Sequence, residues 1–490
     1  MKFVLITKEK GDFYFMEFFN NIILAFNDFL WTYVLIAMLI IIGLYFTIKT
    51  RFVQFGNLKE MFRLLGDGAT AEKKEHSVSS FQAFCISTAS RVGTGNLAGI
   101  ATAIAIGGPG AIFWMWLIAL VGAASSFIES TLAQIYKVKD GHTFRGGPAY
   151  YMEKGLKKRW MGVTFALLIT IAFGLVFNSV QANTITLSLN NSFGFNRAFI
   201  GALITIFTTI IIFGGVNRIA KVSSILVPIM AIAYIVVALF IVVKNIGQIP
   251  SVIKLIFENA FGINQIVGGG IGAALMQGIK RGLFSNEAGM GSAPNAAATA
   301  TVSHPVKQGF IQTLGVFTDT IIICSCTAFI ILLSDAPLDG TVKGIELTQI
   351  ALNSQVGSWG GIFISICILL FAFSSIVGNY YYGEANIQFI TDKKIYLQIY
   401  RIAVGAMVFF GSLVSMDIVW NLADVFMGFM AIINLIAIVL LSKIAFKALD
   451  DYKKQKRAGI KDPVFDASSI PELSDEEIEW QSNNENDIAV

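Results

Sequence analysis

Charge is what this sequence has least of. Lys, Arg, Asp and Glu make up 14% of its 490 residues and hydrophobic residues 55%, whereas a soluble domain is about one quarter charged. With a mean hydropathy of +0.68, most of its surface cannot face water. Cysteine is scarce too. Cys85, Cys324, Cys326 and Cys367 all lie in apolar runs with no paired spacing across loops, which excludes a disulfide framework and a thiolate metal site. The three histidines, His76, His142 and His304, fall in loops without metal-ligand spacing. No P-loop, zinc motif or nucleophile elbow is present, which argues against ATP-driven transport and against an enzyme. The basic residues are dispersed among loops, so nucleic acid is not an implied partner, and no cofactor or obligate protein partner is indicated. The first long apolar run begins near Leu30, too late and too long for a cleavable signal.

Long apolar runs are what the sequence has in abundance. They recur at 30–49, 79–107, 109–136, 161–189, 198–213, 223–243, 266–285, 309–333, 359–382, 397–415 and 421–446. Each approaches the ~20 residues a helix needs to cross a bilayer, and none shows the alternation of barrel strands. The expected fold is an all-α polytopic membrane protein with about eleven transmembrane helices. Lys49, Arg51, Lys59, Arg63, Lys73 and Lys74 follow the first span, and Lys137, Lys139, Arg145, Lys154, Lys157, Lys158 and Arg159 follow the third. Alternate loops offer little beyond Arg197, Lys244, Lys254 and Lys343. The positive-inside rule then places the N-terminal segment 1–29 outside the cell membrane and the C-terminus in the cytoplasm. The tail 447–490, basic and then acidic, is expected to be disordered. The stretch from Tyr150 to Trp160 reads as an amphipathic segment along the inner surface, and Ile249 to Phe261 as a short outer lid.

Two apolar runs are interrupted. The second reads Ser87-Thr88-Ala89-Ser90-Arg91-Val92-Gly93-Thr94-Gly95-Asn96-Leu97-Ala98-Gly99, and the seventh carries Met276-Gln277-Gly278-Ile279-Lys280-Arg281-Gly282-Leu283-Phe284-Ser285-Asn286-Glu287. Glycines beside polar residues allow a membrane helix to unwind. The two runs lie five spans apart and cross in opposite directions, so 79–243 and 266–446 read as inverted repeats behind one extra helix. Paired broken helices point to a midplane site in secondary transporters. A half-helix opening near Asn96 offers N–H groups of Gly95, Asn96 and Leu97 to a carboxylate. Carbonyls near Met276 and Gly278 are expected to face an ammonium or Na+. A zwitterion is thereby held without a buried charged side chain.

These residues also resemble a known family. Gly93-Thr94-Gly95-Asn96-Leu97-Ala98-Gly99, Gly107-Gly108-Pro109-Gly110-Ala111-Ile112-Phe113-Trp114-Met115-Trp116, Gly146-Gly147-Pro148, Lys280-Arg281-Gly282, Phe284-Ser285-Asn286-Glu287-Ala288-Gly289 and Tyr381-Tyr382-Gly383-Glu384 look like the alanine/glycine:cation symporter family, a branch of the leucine-transporter-like fold. The resemblance spans roughly 30–445. It implies Na+- or H+-coupled uptake of alanine, glycine or a related neutral amino acid, with Na+ as the coupling ion. It also implies a substrate pocket of Thr94, Gly95, Asn96, Gln181, Phe284 and Ser285. A Na+ site is implied at carbonyls near Ala89 and Val92 with the hydroxyls of Ser374 and Ser375. At Asn379 the chain departs from alanine-selective members, which resemble a sequence with a bulky tryptophan there. A carboxamide enlarges the pocket and adds hydrogen-bonding groups, so glutamine becomes a candidate substrate.

Charges within the spans are expected to be functional. Arg91, Lys280 and Arg281 are assigned to the cytoplasmic half, pairing with Glu129, Glu287 or Glu384 as an inner gate. Asp319 and Asp424 are candidates for relaying a proton if H+ is the coupling ion. Alternatives on the same fold are an ion-independent amino-acid exchanger and, with a different activity, a channel.

Overall fold

The structure, a computed structural model, describes residues 27–70, 77–141, 143–262, 270–473 and 478–480. The expected N-terminal segment, His76, His142 and the end of the tail fall wholly or largely outside them. The fold is all-helical apart from one small hairpin pairing Val138–Asp140 with Thr143–Arg145. An extra helix, α1 (Asn27–Lys49), precedes the repeats, and a short surface helix α2 (Leu58–Thr70) follows it.

The first repeat contains α3 (Ser80–Arg91), α4 (Gly95–Gly107), α5 (Ala111–Ile135), α6 (Arg159–Phe193), α7 (Arg197–Ile212) and α8 (Gly215–Lys244). After α9 (Ile249–Ala260), the second contains α10 (Gly270–Asn286), α11 (Ala293–Ala297) and α12 (Pro305–Leu332). It continues with α13 (Ile345–Val356), α14 (Trp359–Ile390), α15 (Lys394–Leu413) and α16 (Met416–Arg457). In each repeat the pair of half-helices is one interrupted crossing. The first repeat starts from the face that bears loops 50–79 and 136–158, the second from the opposite face. Among the described residues, eight helices are long and apolar enough to cross a membrane. The other three expected spans are broken or short: α3 with α4, the α7 helix, and α10.

Local chemistry sets the first interruption. Ser79 starts α3 with a capping box, its hydroxyl accepting from the Gln82 N–H at 3.2 Å while Gln82 Oε1 accepts from the Ser79 N–H at 2.9 Å. The helix ends at Val92, whose backbone is extended. Small residues let neighbours close on it: α5 packs against α10 and α12, and α14 against α3.

Three expectations are corrected at this level. The tail is not disordered: α16 runs on to Arg457, and Phe465, Ala467, Ile470, Leu473 and Ile478 are buried. Tyr150 and Tyr151 do not lie along the membrane surface but are buried in a short helix, Pro148–Lys154. The helix over the pocket's outer side is α13, whose Thr348 hydroxyl donates to the Leu97 carbonyl at 3.1 Å. The supposed lid, α9, instead packs on the start of α5, where Trp114 Nε1 donates to the Ala260 carbonyl at 3.3 Å.

Candidate functional site

At the first break, two N–H groups leave the helical ladder for side chains. Gly93 N donates to Asn96 Oδ1 at 2.9 Å and Thr94 N to Gln181 Oε1 at 3.0 Å. The carbonyls of Ala89 and Ser90, four residues earlier, thereby lose their helical donors. Gly93 is required by space: a Cβ there would lie 2.3 Å from Ser375 Oγ.

Ser375 on α14 closes this arrangement. Its hydroxyl is 2.8 Å from the Ala89 carbonyl, 3.3 Å from Val92 and 3.0 Å from Phe371. A hydroxyl has one proton and can donate to only one of the three. Four converging oxygens, none of them a carboxylate, form a donor set that suits a hard monovalent cation. Ser374, expected to join them, turns to its own helix at the Phe371 carbonyl, 2.8 Å away. The Phe371 carbonyl is the oxygen that sequence reasoning missed.

The second break lies further along than expected. The α10 helix is continuous through Met276 and Gly278, so their carbonyls belong to the helical ladder and do not face a ligand. Gly278 instead serves packing, since a Cβ there would meet the Ala111 carbonyl oxygen at 2.3 Å. The chain unwinds at Glu287, with Glu287, Gly289 and Gly291 all at positive φ, before α11 begins. Glu129 on α5 holds this segment: its carboxylate accepts from Gly289 N at 3.1 Å, Gly291 N at 3.2 Å and Asn434 Nδ2 at 2.7 Å. Tyr151 donates its hydroxyl hydrogen to the other end of the Asn434 amide.

Asp319 on α12 joins the two breaks. Its Oδ1 accepts from Asn96 Nδ2 at 2.6 Å, and its Oδ2 from the Ser285 hydroxyl at 2.8 Å and the Thr320 hydroxyl at 2.8 Å. Cys324 Sγ lies 3.2 Å from both Asn96 Nδ2 and Ser285 Oγ. The spacing Asp319–Cys324 carries no recognisable motif, so sequence alone could not place them here. Phe284 forms an aromatic wall, its ring centroid 4.6 Å from Phe177 and 4.6 Å from Trp420. Thr94 Oγ1, Asn286 Nδ2 and Asn379 Nδ2 are buried without a hydrogen-bond partner. Orphaned polar atoms of this kind cost free energy, and their clustering at the breaks suits a polar solute.

The expected gate pairs are rearranged. Lys280 and Arg281 pair with Asp424, not with Glu129, Glu287 or Glu384: Lys280 Nζ is 3.2 Å from Asp424, and Arg281 is bidentate at 3.0 and 2.8 Å. Asp424 lies near the start of α16, so this trio stands between the pocket and the face opposite the basic loops. Trp31 of α1 backs it, donating to the Asp424 carbonyl at 3.2 Å beneath the Lys280 ammonium. Glu384 pairs with Arg401 at 3.3 Å. Arg91 donates to the Gln312 carbonyl at 3.3 Å and acts on Glu129 and Glu287 only through space.

Inverted repeats that meet at two broken helices, with ion and solute groups at the midplane, define a secondary active transporter. The chain belongs to the sodium:alanine symporter family, which it matches over residues 16–467. It is 60% identical over 450 residues to GlnT of Bacillus subtilis, named a probable sodium/glutamine symporter, covering 92% of this chain and 94% of that one. It is 37% identical to the sodium/alanine symporter AgcS of Methanococcus maripaludis, covering 89% and 99%. Among solved structures, that of MhsT in complex with L-phenylalanine matches with a TM-score of 0.56 at 16% identity, covering 77% of this chain and 99% of that one. That likeness concerns the fold alone.

Proposed function

We propose that this chain imports a neutral amino acid together with Na+ by alternating access, and that glutamine is its preferred substrate. The observation that carries the reading is the convergence of the Ala89, Val92 and Phe371 carbonyls on the Ser375 hydroxyl at the first break. Na+, as cargo, sits among these four oxygens. The amino-acid carboxylate meets the N–H groups that open α4 at Gly95 to Leu97, which have no acceptor within their own helix. Thr94, Gln181 and Ser285 supply further polar contacts, and Phe284 with its aromatic neighbours covers the solute.

Glutamine is favoured over alanine by two considerations. Asn379 stands where alanine-selective relatives carry a bulky ring, and the similarity to GlnT is high. A side-chain carboxamide can satisfy orphaned groups at the breaks, whereas alanine leaves them unpaired, a difference that buried hydrogen bonding makes large. The repeats extend over about 79–243 and 266–446, within a transporter domain at 30–446. The basic loops lie in the cytoplasm, and the C-terminus with them, because Lys and Arg are concentrated there.

Purified protein in liposomes tests the reading. An inward Na+ gradient should drive concentrative uptake of labelled glutamine, competed more weakly by alanine. Uptake that needs internal amino acid but no Na+ would identify an exchanger, and strong alanine preference without glutamine transport would refute the substrate.

A further inference from the structure

Ser90 lies between Ala89 and Val92, two of the carbonyls assigned to Na+, yet its side chain leaves that site. Its hydroxyl is 2.6 Å from Glu287 Oε1 and 2.6 Å from Asn379 Oδ1. One proton cannot serve both acceptors. The Asn379 amide nitrogen has no partner as placed, and exchanging its N and O, positions assigned from the hydrogen-bond network, resolves both problems. Asn379 then donates to Ser90, and Ser90 donates to Glu287. The other oxygen of Glu287 accepts from the Ser292 hydroxyl at 2.6 Å.

This relay has a specific route. Asn379 lies on α14, four residues and so one helical turn after Ser375, on the same side of the helix. Ser90 is in the last turn of α3. Glu287 is the first residue of the second break, held at φ +58, and Ser292 is the N-cap of α11. Both helices that supply the cation oxygens are therefore tied to the unwound segment of the second broken helix. Ser90, Asn379, Glu287 and Ser292 are all buried. Stretching a buried, charge-assisted hydrogen bond strands a carboxylate away from water, which costs more than the bond itself contributes.

We propose that the Ser90–Glu287 bond, braced by Asn379 and Ser292, couples the Na+ site to the second break. Ser90 and Glu287 are positioning residues: they touch neither cargo but transmit one site's geometry to the other. When the Ala89 and Val92 carbonyls draw in around a cation, Ser90 between them must move, and Glu287 follows. The solute pocket beside Phe284 and Ser285 is thereby set by cation occupancy. The coupling rests on the Na+ and amino-acid reading given above.

The test is the linkage between the two cargoes. Glutamine affinity is measured for the purified full chain with and without Na+, and Na+ affinity with and without glutamine. For S90A, the Na+-induced gain in glutamine affinity should fall about fivefold or more, within the range of measured couplings. The glutamine-induced gain in Na+ affinity must fall by the same factor, since linkage is reciprocal; a merely structural defect has no reason to obey that equality. S90T keeps the hydroxyl and should restore the gain. S292A, which removes the far brace and leaves α3 intact, should lower it part of the way and serves if S90A does not fold. Wild-type-sized gains in S90A and S292A overturn the coupling alone. A wild-type protein with no Na+ effect on glutamine binding overturns the functional reading and this inference with it.

Discussion

Lys137 shows how much one residue's surroundings govern. It follows the end of α5, outside the spanning segment. Its ammonium donates to Gln134 Oε1 at 2.8 Å and to the Ala300 carbonyl at 3.1 Å, and it faces the rings of Phe144 and Trp480. Burial lowers its pKa to about 7, a shift that the nearby Glu479 opposes. Between pH 7 and the ordinary lysine value of 10.5, the unfolded chain binds a proton that the folded chain has released, so this residue makes stability rise with pH across that window. Below pH 7 both states are protonated and its contribution is constant. Thermal unfolding in detergent should show Lys137→Met losing a slope of at most about 1.4 kcal/mol per pH unit relative to wild type between pH 7 and 9. Identical slopes in the two proteins would show that the lysine is hydrated rather than buried.

At the scale of elements, the two broken helices are held open by different means. The first is held by amides, Asn96 and Gln181, which take up the N–H groups freed at Gly93 and Thr94. The second is held by a carboxylate: Glu129 accepts from Gly289, Gly291 and Asn434. Glu129→Gln keeps the shape but turns one acceptor into an NH2 facing an N–H donor. Unfolding should become easier by about 1–3 kcal/mol, with Na+-driven uptake falling alongside. Uptake and melting temperature both equal to wild type would mean the segment is set by its glycines alone.

The contrast explains what was legible in the sequence. Gly93-Thr94-Gly95-Asn96 marked the first break correctly because its glycines and its amide act within four residues of each other. The second break was placed too early, at Met276 and Gly278. Glycines in α10 look like helix breakers, yet Gly278 and Gly282 serve close packing on α5, a partner 160 residues away in the chain. Asp424, the partner of Lys280 and Arg281, is remote in the same way. Ser375 was found through a family likeness, while Phe371 was missed because a carbonyl has no residue signature.

Across the whole molecule, the C-terminal segment acts as a strap over the basic face. Phe465 N donates to the Ser303 carbonyl at 2.9 Å, and the Ser303 hydroxyl to the Pro463 carbonyl at 2.8 Å. Asp462 lies 3.2 Å from Lys307 and 3.6 Å from Arg63, and Trp480 Nε1 donates to the Gln134 carbonyl at 2.9 Å. The strap thus joins α2, the loop between α11 and α12, and the end of α5. That loop also pairs with the chain ahead of α3, where Thr301 N donates to the Val78 carbonyl at 3.0 Å. Any path from the pocket to the basic face must part these same elements, because both half-helices nearest that face, α3 and α11, are held by them. The ion pairs are half-exposed and contribute little each, so the apolar residues Phe465, Ile470, Leu473 and Ile478 dominate the seating, at roughly 25 cal/mol per Å2 of apolar surface removed from water. Ending the chain after Gly459 should therefore leave the spans folded but speed amide exchange in 58–70 and 298–304 by tenfold or more, measured in detergent by mass spectrometry. Unchanged exchange there would mean that the strap rests on a face already closed without it.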